Sequence, residues 1–201
     1  MATPSASTPP TTATREVVAG VLERRPKRSD ARRNYEALLE AARDAFAAEG
    51  SGAALEEIAR RANVGIGTLY RHFPTRQELF EAVYVHEVDQ LCHAADDVVA
   101  LDPWDGLVAW LHRFVEYTAT KRAIVEELAK GSPLFQGCRA EIVAAGEPLL
   151  QRAQQAGAAR DDISFDDLLR LISGITMHPF TEPEQLDRVL GVAIDGIRQR
   201  T

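Results

Sequence analysis

The stretch "ANVGIGTLYRHFPTRQELF", Ala62–Phe80, combines two glycines with a run of polar and aromatic side chains and offers little apolar surface. Helical spacing puts Leu69 and Phe73 on one face, which we expect to pack on neighbouring helices. The opposite face centres on Arg71. A glycine on such a face costs roughly 1 kcal/mol of helix stability and lets a partner approach the backbone. The stretch therefore predicts a short helix that contacts another molecule.

Two more helices are predicted just before this stretch. The segment "LEEIARRA" predicts a short helix, and Asn63, which follows it, tolerates the left-handed conformation that ends helices. Further upstream, Asp30 can cap a helix that runs to about Glu49 and stops at Gly50. Three helices with a tight turn between the last two predict a helix-turn-helix, whose second helix can enter the DNA major groove.

The outer face of that second helix carries groups that suit DNA. Arg71 can read guanine, and Thr68 and Tyr70 can touch thymine methyl groups or phosphates. Arg76 can reach a phosphate at the start of the next helix, where the helix dipole favours the same anion. Each of these residues taken alone would be an ordinary solvated surface position. Their combination on one face indicates DNA binding.

The rest of the chain is predicted to be helical. It contains no alternating strand pattern of useful length. Capping patterns mark further helix starts at Thr75 with Glu78, Asp102-Pro103, Ser132-Pro133 and Ser164 with Asp167. Residues 1–28 are rich in Pro, Ser, Thr and Ala and are predicted to be a disordered arm with a basic end. We therefore predict an all-α protein.

The net charge of −7 is unevenly distributed. Residues 1–79 carry 12 basic and 10 acidic side chains, whereas residues 80–201 carry 11 and 20. The segment "ERRPKRSDARR", residues 23–33, gathers six of the basic side chains, which suits either a polyanion or a solvated charge run. The arm can follow the DNA minor groove or remain an unattached tail.

Residues 31–80 resemble the DNA-binding domain of the tetracycline-repressor (TetR) family of bacterial transcription regulators. The matching segments are "ALLEAARDAFAAEG" and "LEEIARRANVGIGTLYRHFPTRQELF", with "TLYRHF" as their centre. The resemblance implies a set of DNA-contacting positions: Gly65, Gly67, Thr68, Tyr70, Arg71, His72 and Arg76. Ala53 and Ala54 replace the Thr or Ser pair usual in the family, and Gly65 and Ile66 replace a Ser-Lys-like pair. These departures leave the operator sequence open.

The resemblance also implies the organisation of the molecule. A helix-turn-helix domain at 29–79 follows the arm at 1–28, and residues 80–201 form a helical ligand-binding and dimerisation domain. Such a regulator, most often a repressor, binds a palindromic double-stranded DNA operator as a homodimer through its last two helices. A small-molecule effector releases it. Apolar side chains at helical spacing in "FDDLLRLISGITM" and in the final helix fit a dimer seam or a monomer core, and paired half-sites favour the dimer.

Aromatic residues outside the DNA-binding domain are the candidates for an effector pocket. Trp110, Phe114 and Tyr117 are spaced i, i+4 and i+7, on one face of a helix, and Phe135 and Met177 add further apolar surface. Aromatic rings with a polar edge suit an apolar or aromatic effector held by a few directional bonds. Ordinary core packing would produce the same spacing.

Other functions find less support in the sequence. His86, Cys92 and His93 lack the spacing of metal ligands, no catalytic triad or nucleotide loop occurs, and neither enzyme activity nor a cofactor is predicted. Two alternatives stay open: an adaptor that binds proteins through the acidic half, and a metal or thiol sensor that uses Cys92 and Cys138. The absence of a long apolar run or of a secretory signal predicts a cytoplasmic protein that binds no membrane.

Overall fold

The computed structural model describes residues 12–125, 132–177, 180 and 182–199. These residues form α-helices joined by short connections, with a 3₁₀ turn at Gly50–Gly52. The helices are α1 Thr12–Glu23, α2 Ser29–Glu49, α3 Leu55–Arg61, α4 Ile66–His72, α5 Arg76–Asp97, α6 Pro103–Val125, α7 Pro133–Gln155, α8 Phe165–Ile175 and α9 Pro183–Ile197. The prediction of an all-α fold is confirmed.

The described residues divide into two compact units. The N-terminal unit contains those between 12 and 89 and between 119 and 139, and the C-terminal unit those between 90 and 118 and between 140 and 199. The N-terminal unit thus continues along α5 past residue 79, where we placed the end of the DNA-binding domain. The functional domains at 29–79 and 80–201 stay a prediction.

Helix boundaries follow from local capping chemistry. At the start of α5 the Thr75 amide donates to a Glu78 carboxylate oxygen (3.0 Å) and the Glu78 amide to Thr75 Oγ1 (3.2 Å), which completes the predicted capping box. Ser164 and Asp167 make the same arrangement at α8. Gly50 ends α2 with a φ of 72°, a conformation that glycine adopts without steric cost. These starts and this stop are confirmed as predicted. The predicted cap at Asp30 is wrong, because α2 begins at Ser29 and Asp30 lies in its first turn.

The structure differs from the predicted disordered arm, because residues Thr12–Glu23 form α1. One face of α1 is buried through Val18 and Val21, each less than 10% exposed. Burying this face stabilises the helix, although residues 1–28 as a whole are rich in Pro, Ser, Thr and Ala. Residues 1–11 lie outside the described residues.

The C-terminal unit is built around aromatic packing. Trp110 on α6 is fully buried, its ring centre lies 5.7 Å from that of Phe165 on α8, and its indole N–H donates to the Leu91 carbonyl (3.1 Å). Gly146 on α7 faces both rings, and a Cβ there would lie 2.7 Å from the Trp110 indole. Only glycine allows this close approach.

Across the described parts of the chain, no helix combines the length and the apolar character that crossing a bilayer requires.

Candidate nucleic-acid interface

Helices α3 and α4 form a compact pair joined by a tight turn. Asn63 in the turn has a φ of 55°, the left-handed conformation predicted for it. The Val64 amide closes the turn by donating to the Ala59 carbonyl (3.0 Å), and the Thr68 amide donates to the Gly65 carbonyl (2.8 Å) at the start of α4. Local backbone bonds therefore fix the direction in which α4 leaves α3.

The inner face of α4 is buried as predicted. Leu69 is fully buried and Phe73 is 2% exposed. The Phe73 ring centre lies 5.0 Å from that of Tyr35 on α2, and Ile58 on α3 is also fully buried. Burial of these side chains holds α4 in place against α2 and α3.

The outer face of α4 is open to solvent. A Cβ built at Gly65 or at Gly67 meets no atom within 4 Å, so packing within the described residues does not require a glycine at either position. Tyr70 is 47% exposed, and Arg71 is exposed too. Among the residues that the structure describes, no carboxylate forms an ion pair with the Arg71 guanidinium. The face thus offers an available cation, a phenol and a backbone that a partner can approach closely.

Two predicted contact residues lie at the edge of this face. Thr68 and His72 are half-buried. The His72 ring meets Tyr35 edge-on, with 5.8 Å between the ring centres. Burial, and to a smaller extent the charge of Arg71, holds the pKa of His72 below its usual range. His72 is therefore neutral at pH 7 and can give one hydrogen bond and accept another.

Arg76 is placed differently from the rest of the set. Its guanidinium donates to the carbonyl oxygens of Ser51 (Nε, 3.2 Å; Nη2, 2.6 Å) and Ala53 (Nη1, 2.8 Å), with a further bond from Nη2 to Ala53. The side chain is half-buried. A phosphate contact, as predicted for Arg76, would have to compete with these internal bonds.

Charges around α4 are partly neutralised. Glu57 accepts hydrogen bonds from Arg60 (2.7 Å) and Arg61 (2.8 Å), which lower its pKa to about 2. Lys27 and Arg28, which precede α2, are exposed and belong to the basic segment 23–33. We expect these cations, more than those of α3, to contribute to the attraction of a polyanion.

Sequence reasoning missed the contribution of α1 to this region. Arg24, just after α1, lines an open cleft of about 220 Å³ that is also lined by Arg71 and His72 of α4. Arg24 also pairs with Glu78 of α5 (3.5 Å). The signal for α1 was the helical spacing of its valines, Val17, Val18 and Val21, immediately before the basic segment.

The predicted effector residues belong to both units. Trp110, Phe114 and Tyr117 are buried along one face of α6, with 5.7 Å between successive ring centres. Phe135 belongs to the N-terminal unit, where it stacks on Tyr84 (5.4 Å). Met177, beyond the end of α8, is 65% exposed.

The apolar stripes of α8 and α9 divide into two faces. Leu168, Leu169 and Ile172 on α8 are buried, as are Leu190, Ile194 and Ile197 on α9. A second set is exposed: Leu171, Val189 and Val192, of which Val192 is 75% exposed. One face of each helix therefore belongs to the core of the C-terminal unit, and another face exposes apolar side chains.

A metal or thiol sensor was the other chemistry that the sequence left open. Within them, no three His, Cys, Asp or Glu side chains are grouped so that they could hold a metal ion. Cys138 is buried and Cys92 is half-buried.

Comparisons with known proteins agree along most of the chain. Residues 38–83 match a family described as bacterial regulatory proteins, tetR family, and residues 102–199 match one described as transcriptional regulator SbtR-like, C-terminal domain. An HTH-type transcriptional regulator of Staphylococcus aureus is 36% identical over 78 residues, which are 38% of this chain. That match spans only 41% of the curated regulator's length.

Solved structures extend the likeness to nearly whole chains. A TetR transcriptional regulator from Streptomyces coelicolor is 38% identical, with a TM-score of 0.70 over 83% of this chain and 99% of that one. A TetR transcription regulatory protein from Mycobacterium vanbaalenii is 35% identical, with a TM-score of 0.69 over 86% of this chain and 99% of that one. With its helix-turn-helix and its helical C-terminal part, the chain belongs to the TetR family of DNA-binding transcriptional regulators.

Proposed function

We propose that this regulator is a ligand-responsive repressor that binds a palindromic operator as a homodimer. The observation that carries the proposal is the outer face of α4, where Arg71 is exposed beside two glycines that have open space above them. An unpaired guanidinium can donate two bonds to guanine, and the backbone can approach DNA closely at Gly65 and Gly67, which have no Cβ atom.

The proposal assigns contacts to residues on α4 and at its start. They are Gly65, Gly67, Thr68, Tyr70, Arg71 and His72. Exposed Lys27 and Arg28 are expected to contact phosphates, which fix register without reading sequence. In this assignment residues 29–79 carry DNA recognition, and residues 80–201 carry effector binding and dimerisation.

Dimerisation through α8 and α9 is supported by their exposed apolar face. Leu171, Val189 and Val192 lie on helices whose other face is already buried. A two-fold dimer presents two copies of α4, and an operator read by both copies is a palindrome.

An apolar or aromatic effector in the C-terminal unit is the proposed signal. The buried rings of Trp110, Phe114 and Tyr117 support that chemistry. Both tryptophans of the chain, Trp104 and Trp110, lie in this unit, so intrinsic fluorescence reports on it. An effector that binds there should change the fluorescence and lower operator affinity by the same factor by which the operator lowers effector affinity.

The experiment that tests operator binding is selection of random duplex DNA on the purified protein at moderate salt. The native chain should enrich a two-fold palindrome, and Arg71→Ala should enrich none. Arg113→Ala, which removes another exposed guanidinium, on α6, is the control and should enrich the same palindrome. If native protein enriches no duplex, the protein-binding adaptor becomes the better hypothesis.

A further inference from the structure

The side chain of Arg76 links two parts of the N-terminal unit that are distant in sequence. Arg76 is the first residue of α5, and its guanidinium turns back to the connection between α2 and α3. There its donors reach the carbonyl oxygens of Ser51 at 2.6 and 3.2 Å and of Ala53 at 2.8 Å. We call this set of bonds the Arg76 latch.

Two stacked aromatic side chains, Phe80 and Phe46, lie next to the Arg76 latch. The Arg76 guanidinium carbon lies 5.7 Å from the centre of the Phe80 ring, a cation–π distance. Phe80 stacks on Phe46 of α2, with 4.3 Å between ring centres, and both side chains are almost fully buried. The guanidinium therefore lies over a buried aromatic surface to which α2 and α5 each contribute one ring.

The latch acts directly on the start of the helix-turn-helix. Ala54, the residue after the latched Ala53, accepts the first hydrogen bonds of α3 from the amides of Glu57 and Ile58 (3.1 Å each). Helix α3 in turn packs on α4. A shift of the latched carbonyls relative to α5 would change the direction of α3, and α4 would move with it.

Arginine is the one side chain that can hold both carbonyls in this way. Its planar fork carries five N–H donors on three nitrogens, and all three nitrogens of Arg76 are used here. Lysine has one nitrogen at the end of a flexible stem and would reach one carbonyl at a time. The charge alone does not reproduce the latch.

We propose that Arg76 is a positioning residue for DNA recognition, which fastens the start of α3 to the first turn of α5 and so sets the angle at which α4 meets DNA. This positioning role replaces the phosphate contact that the sequence predicted for Arg76. The inference rests on the proposed operator binding. Failure of that proposal would appear as the lack of any duplex selected by the native chain, whereas failure of this inference appears only in the variants below.

The test compares Arg76→Lys and Arg76→Gln with the native chain on the selected duplex over a range of salt concentrations. Both variants should weaken binding by roughly tenfold, the effect of losing one charge-assisted hydrogen bond. Neither should change the salt dependence, because no phosphate contact is lost. A phosphate ligand would behave otherwise, since each such contact adds about 0.9 to the slope of log affinity against log salt.

Hydrogen exchange of the DNA-free protein gives a second readout that remains available if Arg76→Gln folds poorly. In Arg76→Lys the amides of Ala53, Glu57 and Ile58 should exchange faster than in the native chain, because the latched turn opens more often. Val88→Ala, which truncates a buried side chain elsewhere on α5, is the control for lost stability. It should leave operator affinity unchanged.

Three results would overturn the proposal. The first is native affinity in Arg76→Lys together with a shallower salt slope in Arg76→Gln, which would identify a phosphate contact. The second is native exchange rates at Ala53, Glu57 and Ile58 in Arg76→Lys. The third is an equal loss of affinity in Val88→Ala, which would reduce the role of Arg76 to general stability.

Discussion

At the scale of single residues, Gly67 has a role that folding does not explain. It lies inside α4, where nothing within 4 Å would meet a Cβ. Alanine is the better helix former by about 0.5–1 kcal/mol in such a position. The natural residue is therefore the less stable choice, which fits a backbone that must come close to DNA.

Gly67→Ala should accordingly have opposite effects on stability and on binding. Denaturant titration should show a gain of about 0.5–1 kcal/mol in the free energy of unfolding, whereas binding of the selected duplex should weaken because the methyl group occupies the contact space. Gly20→Ala on α1, where a Cβ also meets nothing, is the matched control and should leave binding unchanged. Unaltered affinity in Gly67→Ala would contradict close approach at this residue.

His86 on α5 is a second residue with a consequence that can be measured. Its Nδ1 lies 2.9 Å from an Arg25 nitrogen and must accept the hydrogen bond, since a guanidinium has donors only. Burial, then the charge of Arg25, lowers the pKa of His86, and Arg43 acts in the same direction against Asp89 and Glu40. The folded protein therefore holds this imidazole neutral.

The free energy of unfolding should depend on pH through this histidine. It should be highest above about pH 6.5, the ordinary histidine pKa, and should fall as pH drops from there toward the lower pKa of the folded state, because the unfolded chain binds the proton more readily. Denaturant titrations across this range should show a weaker dependence in His86→Leu than in the native chain. Since the pKa of His72 is lowered as well, some dependence should remain. Identical pH profiles for the two proteins would refute this account of His86.

At the scale of elements, α1 is the helix whose role was least expected from the sequence. Val21 is 6% exposed, whereas Val17, one turn earlier on the same helix, is 39% exposed. Val21→Ala should therefore lower the free energy of unfolding by about 1–2 kcal/mol, the value of two buried methyl groups. Val17→Ala should change it by less than about 0.5 kcal/mol. If this segment were disordered, neither substitution would change the free energy of unfolding measured by denaturant titration.

The sequence predicted those elements whose signals are local. The Thr75 and Glu78 capping box, the left-handed Asn63 and the buried Leu69 and Phe73 all follow from spacings of three or four residues or from backbone preference. Helical spacing also predicted which face of α4 is exposed.

Two features of the N-terminal unit depend on tertiary contacts that no local pattern contains. Helix α1 is stabilised by burial of Val18 and Val21, although the segment before it is polar and rich in proline. In the Arg76 latch, Arg76 bonds Ala53, which is 23 positions away in sequence, and Ser51, which is 25 positions away. From sequence alone, an arginine that bonds a distant carbonyl and one that awaits a phosphate look the same.

At the scale of the whole molecule, the exposed faces of α8 and α9 carry the proposed dimer. Val192→Asp should dissociate it, because a carboxylate in an apolar seam loses its hydration without gaining a partner. Val99→Asp alters a side chain that is 54% exposed outside these helices and should leave the dimer intact. Sedimentation velocity distinguishes the two outcomes. A native chain that sediments as a monomer, or a dimer retained in Val192→Asp, would contradict a seam through these two helices.

The measurement that tests the central claim most directly is a double-mutant cycle between Arg71 and the guanines of the selected operator half-site. Each guanine is replaced in turn, and binding of native protein and of Arg71→Ala is measured by fluorescence anisotropy. We predict one guanine whose replacement weakens native binding by about 1–3 kcal/mol but has no further effect on Arg71→Ala. Replacements that cost both proteins the same at every guanine would show that Arg71 does not read the operator, and the outer face of α4 would need another explanation.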